Sequence, residues 1–281
     1  MNAGKTVLVI GASGQIGQFL LPRLTEAGFD YLALSRRVTG GDARWIRGGL
    51  PDAMPELPPL RAVISLGPLD HLAPWLAATR LAGTPHVVAT SSMSAETKRD
   101  SAVPAERELS RRMRDAETTL VATCASRGMP WTLLRPTLIY GAGVDKSLTP
   151  IVSAALRRKV FPLPAGRGLR QPVHADDIAA AVVAALGSPF ARGKTFPIGG
   201  GERMCAREMF RRTRRSAGGA TVPVPIPRLA LRFATLVVPA LRGPVERLDH
   251  DLVADNGELE RVLGIHPRPF SPSPDTWRPR S

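Results

Sequence analysis

Seven residues near the N-terminus, Gly11-Ala12-Ser13-Gly14-Gln15-Ile16-Gly17, have the types and spacing to hold a doubly phosphorylated ligand. They follow a short β-branched run, Thr6–Ile10, and open a stretch with helical spacing of Ile16, Phe19, Leu20 and Leu24. In a strand–turn–helix unit Gly11 lets the chain turn tightly, Gly14 lets backbone approach a pyrophosphate, and Gly17 permits close helix-on-strand packing. The free N–H groups at the helix start, with the helix dipole behind them, attract the phosphates. A second strand, Tyr31–Ser35, runs into Arg36 and Arg37 with no acid at its tip. A carboxylate there would bind the ribose 2′-hydroxyl of NAD, whereas a guanidinium pairs with the 2′-phosphate of NADP. Ser35 adds a hydroxyl, so NADP(H) is expected in preference to NAD(H). The competing reading is that Arg36 and Arg37 only express an arginine surplus.

The elements that position this loop alternate. Further strands are expected at Arg44–Arg47, Ala62–Leu66, His86–Thr90 and Trp131–Leu134, with helices at 15–28, 69–82 and 104–127. The Pro-rich stretch Pro51–Pro59 reads as a loop. Short apolar strands separated by helices imply βαβ crossovers and a Rossmann-type, doubly wound parallel α/β sheet covered on both faces. Residues 1–145 are expected to form the dinucleotide-binding domain, its sheet completed by segments around 171–200. Residues 146–281 form a smaller, mostly helical substrate region, with helices at 148–159, 176–186 and 206–216 and a short strand at Thr195–Ile198. The segment Arg228–Leu241 is apolar enough for a surface-binding helix; packing on the core is the expected outcome. The Pro-rich tail from Pro267 reads as extended.

Four motifs in order resemble the short-chain dehydrogenase/reductase superfamily, in particular its extended, epimerase/dehydratase-like branch. They are the glycine loop, Thr90-Ser91-Ser92, the run from Leu134-Arg135-Pro136 to Ile139-Tyr140-Gly141, and Val173-His174 with Asp176-Asp177-Ile178. The resemblance implies that Gly11, Ser13, Gln15 and Ile16 line the pyrophosphate and that Leu66 and Gly67 pass the adenosine. It places Ser91, Ser92, Pro136 and Ile139 around the nicotinamide and its ribose. Gly49 stands where this branch commonly has an adenine-side Asp.

The superfamily's usual tyrosine and lysine, four residues apart, are missing. The chain has two tyrosines, Tyr31 and Tyr140, followed four residues on by Ser35 and Val144. Anchored on Glu117, the family positions fall on Leu109 and Met113, part of an apolar stripe with Ala116 and Leu120 that reads as ordinary packing. Three substitutes come into view. Ser92 could orient a carbonyl, or serve as a turn former. Lys98 could donate a proton if desolvated, or be a solvated loop charge. Tyr140 could be catalytic or structural. His174 is read as a helix-start hydrogen-bonding group, with Asp as N-cap.

Lysine and arginine total 38 against 24 acids, a net charge of +14, but only five of the bases are lysine. The arginines are scattered, without aromatic interleaving, and no nucleic-acid partner is expected. Arg157, Arg158, Arg167 and Arg170 could meet an anionic group on a small-molecule substrate. Asp249, His250, Asp251 and Asp255 lack a metal-ligand register, and no metal is expected. Cys124 and Cys205 are far apart, no apolar run reaches the length of a membrane span, and no signal peptide opens the chain, so a cytoplasmic location is expected. A homodimer through the active-site helix is left open. The expected function is an atypical NADP(H)-dependent oxidoreductase or epimerase/dehydratase-like enzyme acting on a small carbonyl, hydroxyl or nucleotide-sugar-like substrate. The alternative is a non-catalytic NADP(H)-binding regulatory or assembly protein.

Overall fold

The computed structural model describes residues 6–36, 42–238 and 241–279. The first half builds β1 (Thr6–Ile10), α1 (Gly17–Glu26), β2 (Asp30–Ser35), β3 (Trp45–Arg47), β4 (Ala62–Ser65), α2 (Leu69–Ala78) and β5 (His86–Thr90). It continues through α3 (Ser94–Thr97), α4 (Pro104–Ser126), β6 (Trp131–Pro136) and β7 (Ile139–Tyr140). The second half adds α5 (Thr149–Arg158), β8 (Val160–Pro164), β9 (Leu169–Arg170), β10 (Val173–His174), α6 (Ala175–Gly187) and β11 (Lys194–Ile198). Last come β12 (Met204–Cys205), α7 (Ala206–Arg215), β13 (Val222–Ile226), α8 (Arg228–Val237), α9 (Arg242–Arg247) and α10 (Gly257–Leu263).

Seven parallel strands form the central sheet in the order β11-β6-β5-β4-β1-β2-β3. Strand alternation divides the apolar residues between its faces. Val7 and Val9 of β1 join a core with Leu20 and Leu24 of α1 and Ile178 and Val182 of α6. Leu8 and Ile10 face the other way, against Leu72 and Leu76 of α2 and Leu120 of α4. A third cluster, including Phe161, Met209, Phe270 and Trp277, holds the C-terminal region together. The order reverses between β1 and β4, where an open parallel sheet leaves a crevice beyond its strand ends. Ile10 pairs with Leu34 on one side and Ser65 on the other, so Gly11, Arg36 and Leu66 emerge at one edge.

Several boundaries differ from the sequence expectation for local reasons. Helix α1 starts at Gly17 rather than residue 15 because Ala12–Ile16 turn first, with the Gly14 N–H donating to the Gly11 carbonyl at 2.9 Å. Helix α2 stops at Ala78, where the Arg127 guanidinium donates to the carbonyls of Leu76, Ala77 and Thr79. Those are the carbonyls a helix end leaves unpaired. At α6 the N-cap is His174, whose Nδ1 accepts the Asp176 N–H at 3.1 Å, and not an aspartate. The tail is anchored: Phe270 and Trp277 are buried, and the Trp277 indole donates to Ser216. Helix α8 buries no residue, contrary to the expected core packing.

Candidate functional site

The glycine loop is shaped by contacts that only glycine permits. Gly11 sits at φ +81°, and a Cβ there would lie 3.3 Å from the Leu66 carbonyl carbon. At Gly17 a Cβ would come within 2.1 Å of the Ala12 carbonyl oxygen, so the helix start presses directly on the loop backbone. The result is a groove of about 180 Å³ whose lining includes Gly11, Gly14, Gln15, Ile16, Leu66, Gly67, Ser91 and Ile139. Eight residues assigned to a dinucleotide from sequence are thus brought together across four loops and strands. Ala12 and Gly17 are buried beneath the loop, and Ser13 is exposed on it. Two buried side-chain oxygens, Gln15 Oε1 and Ser91 Oγ, have no hydrogen-bond partner. Buried polar atoms rarely go unpaired, so the groove offers two groups suited to a polar ligand. An anionic dinucleotide fits this cradle: glycines that allow backbone approach, a helix N-terminus, and unpaired polar atoms.

The far wall holds a feature that sequence reasoning missed. Met113 of α4 lines the groove, with Pro68, Leu69 and Thr90. The stripe that read as ordinary packing therefore splits: Ala116 and Leu120 are buried, whereas Leu109 and Met113 are half-buried and Met113 reaches the groove. The signal was the register to Glu117. Glu117 is itself buried, and Arg135 of β6 grips its carboxylate with two hydrogen bonds. Arg135 also reaches Glu96 at 3.0 Å, tying α3 and α4 to the sheet.

The three catalytic candidates occupy different settings. Ser92 Oγ accepts the Ser94 N–H at 3.1 Å, a turn-forming contact that leaves its own hydrogen free to donate. Lys98 is half-buried and faces Glu106 at 3.6 Å; burial pushes its ammonium down, opposed by that carboxylate. Glu106 also pairs with Arg247, so Lys98 belongs to a cluster joining α4 to α9, and it does not line the groove. Tyr140 is fully buried, edge-on to His174 and Phe270, and its hydroxyl donates to the Pro269 carbonyl at 3.5 Å. Burial, reinforced by Asp177, pushes its phenol up to about 12. That setting corrects the catalytic expectation for Tyr140, which is packed as a core residue.

The residues expected to select the dinucleotide lie at the end of β2. Ser35 is buried, and its carbonyl accepts the Gly48 N–H at 3.0 Å. Arg36 is exposed, and its stem lies over Gly49, where a Cβ would meet the Arg36 Cγ at 2.9 Å. Arg37 lies outside the described residues. Pro136 ends β6, where its carbonyl accepts the Met93 N–H.

Other basic residues hold structure. Arg170 is buried and donates to the carbonyls of Leu169, His250 and Arg247, which corrects its expected role toward a substrate anion. Arg157, Arg158 and Arg167 are exposed. Asp249 and Asp251 accept the backbone N–H groups of Arg167 and Leu169, and Asp255 accepts that of Gly257. Asp176 binds Arg23 and Arg268, clamping α1, α6 and the C-terminal segment. Burial alone would push its carboxyl up; the two arginines outweigh it and hold it down at about 2.

A crevice at the switch point of a seven-stranded parallel sheet defines a Rossmann-type architecture. Residues 76–199 match the family model described as the NAD dependent epimerase/dehydratase family. Over that span the chain is similar to the family. It is 29% identical over 253 residues, 84% of this chain and 79% of the relative, to a (4-alkanoyl-5-oxo-2,5-dihydrofuran-3-yl)methyl phosphate reductase of Streptomyces griseus. Among solved structures it resembles UDP-glucose 4-epimerase from Thermotoga maritima, with TM-score 0.69, 16% identity and 97% of each chain covered. It also resembles UDP-glucuronic acid 4-epimerase from Bacillus cereus in complex with UDP-glucuronic acid and NAD, with TM-score 0.70, 14% identity and coverage of 97% and 96%. At these identities the structures speak for the fold. No helix among the described residues is long and apolar enough to cross a membrane.

Proposed function

We propose that this protein is an NADP(H)-dependent reductase or epimerase-like enzyme acting on a small carbonyl compound that carries an anionic group. The observation that carries the reading is the groove itself, where the glycine loop meets the unpaired Ser91 Oγ and the Met113 side chain. Gly11, Gly14, Gln15 and Ile16 would hold the pyrophosphate, Leu66 and Gly67 the adenosine, and Ser91 and Ile139 the nicotinamide end. When bound, the dinucleotide supplies or accepts a hydride.

Exposed Arg36 over Gly49 supports NADP(H) over NAD(H). A guanidinium at the end of β2 favours a 2′-phosphate, and the side-chain-free Gly49 leaves it room. The acid–base machinery differs from the family pattern by sequence. With Leu109 and Met113 at the positions matched to tyrosine and lysine, no phenol or ammonium from α4 can hold or move a proton at the groove. Hydroxyls remain: Ser91 Oγ is unpaired at the lining, and Ser92 Oγ keeps a free hydrogen after accepting from Ser94. Either can donate to a substrate oxygen as charge develops on it. Among the described residues none that lines the groove is charged, which favours substrates whose developing charge is delocalised over a conjugated system. An anionic substrate group is supported by the phosphate in the name of the Streptomyces relative. A purely regulatory role is not favoured, since that relative is by name a reductase.

The test is titration with NADPH and NADH, then single-turnover oxidation of bound NADPH by phosphorylated carbonyl and conjugated carbonyl compounds. Ser91→Ala is expected to slow hydride transfer by about 100-fold with NADPH affinity nearly unchanged. Failure of both coenzymes to bind would overturn the reading. Binding without oxidation by any such compound would restore the non-catalytic alternative.

A further inference from the structure

Helix α8 is amphipathic with its faces reversed relative to a core helix. Leu229, Phe233, Leu236 and Val237 project to solvent, 80%, 67%, 72% and 67% exposed. These positions recur at helical spacing, so they form one continuous stripe. The opposite face carries Arg228, Leu231, Arg232 and Thr235, which border a cavity of about 330 Å³ between α8 and α9. Inside that cavity Arg228 pairs with Asp249. The polar side of the helix is therefore the tethered side, and nothing on the described chain covers the apolar one.

In sequence, exposed Val238 and Leu241 follow the helix and exposed Val222 and Val224 of β13 precede it. An exposed apolar stripe of this kind marks an interaction site. Its surroundings state the sign of the partner. From Val222 to Asp249 the chain carries four arginines, Arg228, Arg232, Arg242 and Arg247, and two acids, Glu246 and Asp249; Arg228 pairs with Asp249 and Arg247 with Glu106. Arg232 and Arg242 are exposed and make no ion pair among the described residues. Beside β13, its sheet partner β8 follows directly on the exposed Arg157, Arg158 and Lys159.

We propose that the outer face of α8, with the adjoining residues of β13, docks this protein peripherally onto an anionic lipid surface. Apolar residues projecting from a short helix rimmed by arginines fit the headgroup–acyl boundary, where side chains enter the hydrocarbon and guanidinium groups stay with the phosphates. A second copy of the chain is the weaker occupant: each copy has a net charge of +14, and its arginine rim would face another arginine rim. A negatively charged bilayer turns that same rim into attraction.

The experiment is co-sedimentation of the full chain with vesicles of phosphatidylcholine alone or with about one-third phosphatidylglycerol, alongside sedimentation velocity without lipid. Association with the anionic vesicles only, weakened by added salt, is expected. Phe233→Ser with Leu236→Ser should lower partitioning by more than about tenfold, and Arg232→Glu with Arg242→Glu by about fivefold per residue or more. Both double variants change exposed residues, and unaltered thermal unfolding will establish that they fold. Equal binding to both vesicle types would overturn the anionic assignment. No vesicle binding would overturn the proposal, and a dimer abolished by the Phe233/Leu236 variant would assign the face to a second copy.

Discussion

Coenzyme choice gives the sharpest test, because the proposed NADP(H) preference rests on two residues that touch. Arg36 leaves the end of β2 with its stem packed over Gly49 and its head exposed. A guanidinium–phosphate hydrogen bond is worth about 1.5–3 kcal/mol net. Arg36→Ala is therefore expected to raise the Kd for NADPH about 10- to 150-fold, with little change for NADH. Gly49→Asp acts through the same contact from the other side. Its Cβ would stand 2.9 Å from the Arg36 Cγ, so the arginine stem must move. Its carboxylate then repels a 2′-phosphate while offering an acceptor to a ribose hydroxyl. This variant should lower the NADPH:NADH affinity ratio further than Arg36→Ala, and combining the two should fall short of additivity because the residues share one contact. Isothermal titration of each variant with each coenzyme measures the ratio directly. An unchanged ratio in Arg36→Ala would refute the assignment, as would an equal loss of both coenzymes, which would mean that the change disturbed the groove.

Two further outcomes concern stability. His86 is buried beside Thr132, and burial, aided by Arg192 and Arg61, pushes its imidazole down to about 4. Between that value and the ordinary 6.5 the unfolded chain binds more protons, so stability falls as pH drops through this window, by about 3 kcal/mol in all. Urea unfolding across the window should show this loss in the native sequence and a flatter profile in His86→Gln; parallel profiles would sink the attribution. Glu117→Gln should destabilise the protein by about 2 kcal/mol, below the full cost of stranding a buried partner, because Arg135 retains Glu96. The same urea assay at neutral pH checks it, and an unchanged midpoint would show that the Arg135–Glu117 pair contributes nothing net.

The parts of this molecule that could be read from sequence are those where one residue type answers one local backbone demand. The glycine loop is the clearest, since Gly11 sits at φ +81° and Gly17 stands where any Cβ would strike backbone. The sheet was legible for a related reason: strands such as Ala62–Ser65, buried throughout, are apolar except at their last residue. Roles fixed by distant partners were not legible. Arg170 satisfies the carbonyls of residues 247 and 250, and Tyr140 is closed in by Phe270. Nothing within a few positions of either residue announces that. The apolar composition of Arg228–Leu241 pointed to a helix but carried no information about which way its apolar side would face.

The stripe on α4 joins both limits and bears on the chemistry. Its lower members, Ala116 and Leu120, are enclosed between the helix and the sheet, and a polar group there would be stranded. Its upper members, Leu109 and Met113, are only half-buried, and Met113 opens on the groove. Packing therefore does not demand apolar residues at these two positions; a phenol and an ammonium could be housed there without unfolding the helix. The Arg135–Glu117 grip one turn further along keeps α4 in register with β6 whichever side chains sit above it. The apolar pair is thus a property of the site rather than of the fold, and it sets what the groove can do. With no phenol or ammonium on α4, the proposed hydride chemistry would rely on the hydroxyls at the end of β5 and on a substrate that can carry its own developing charge.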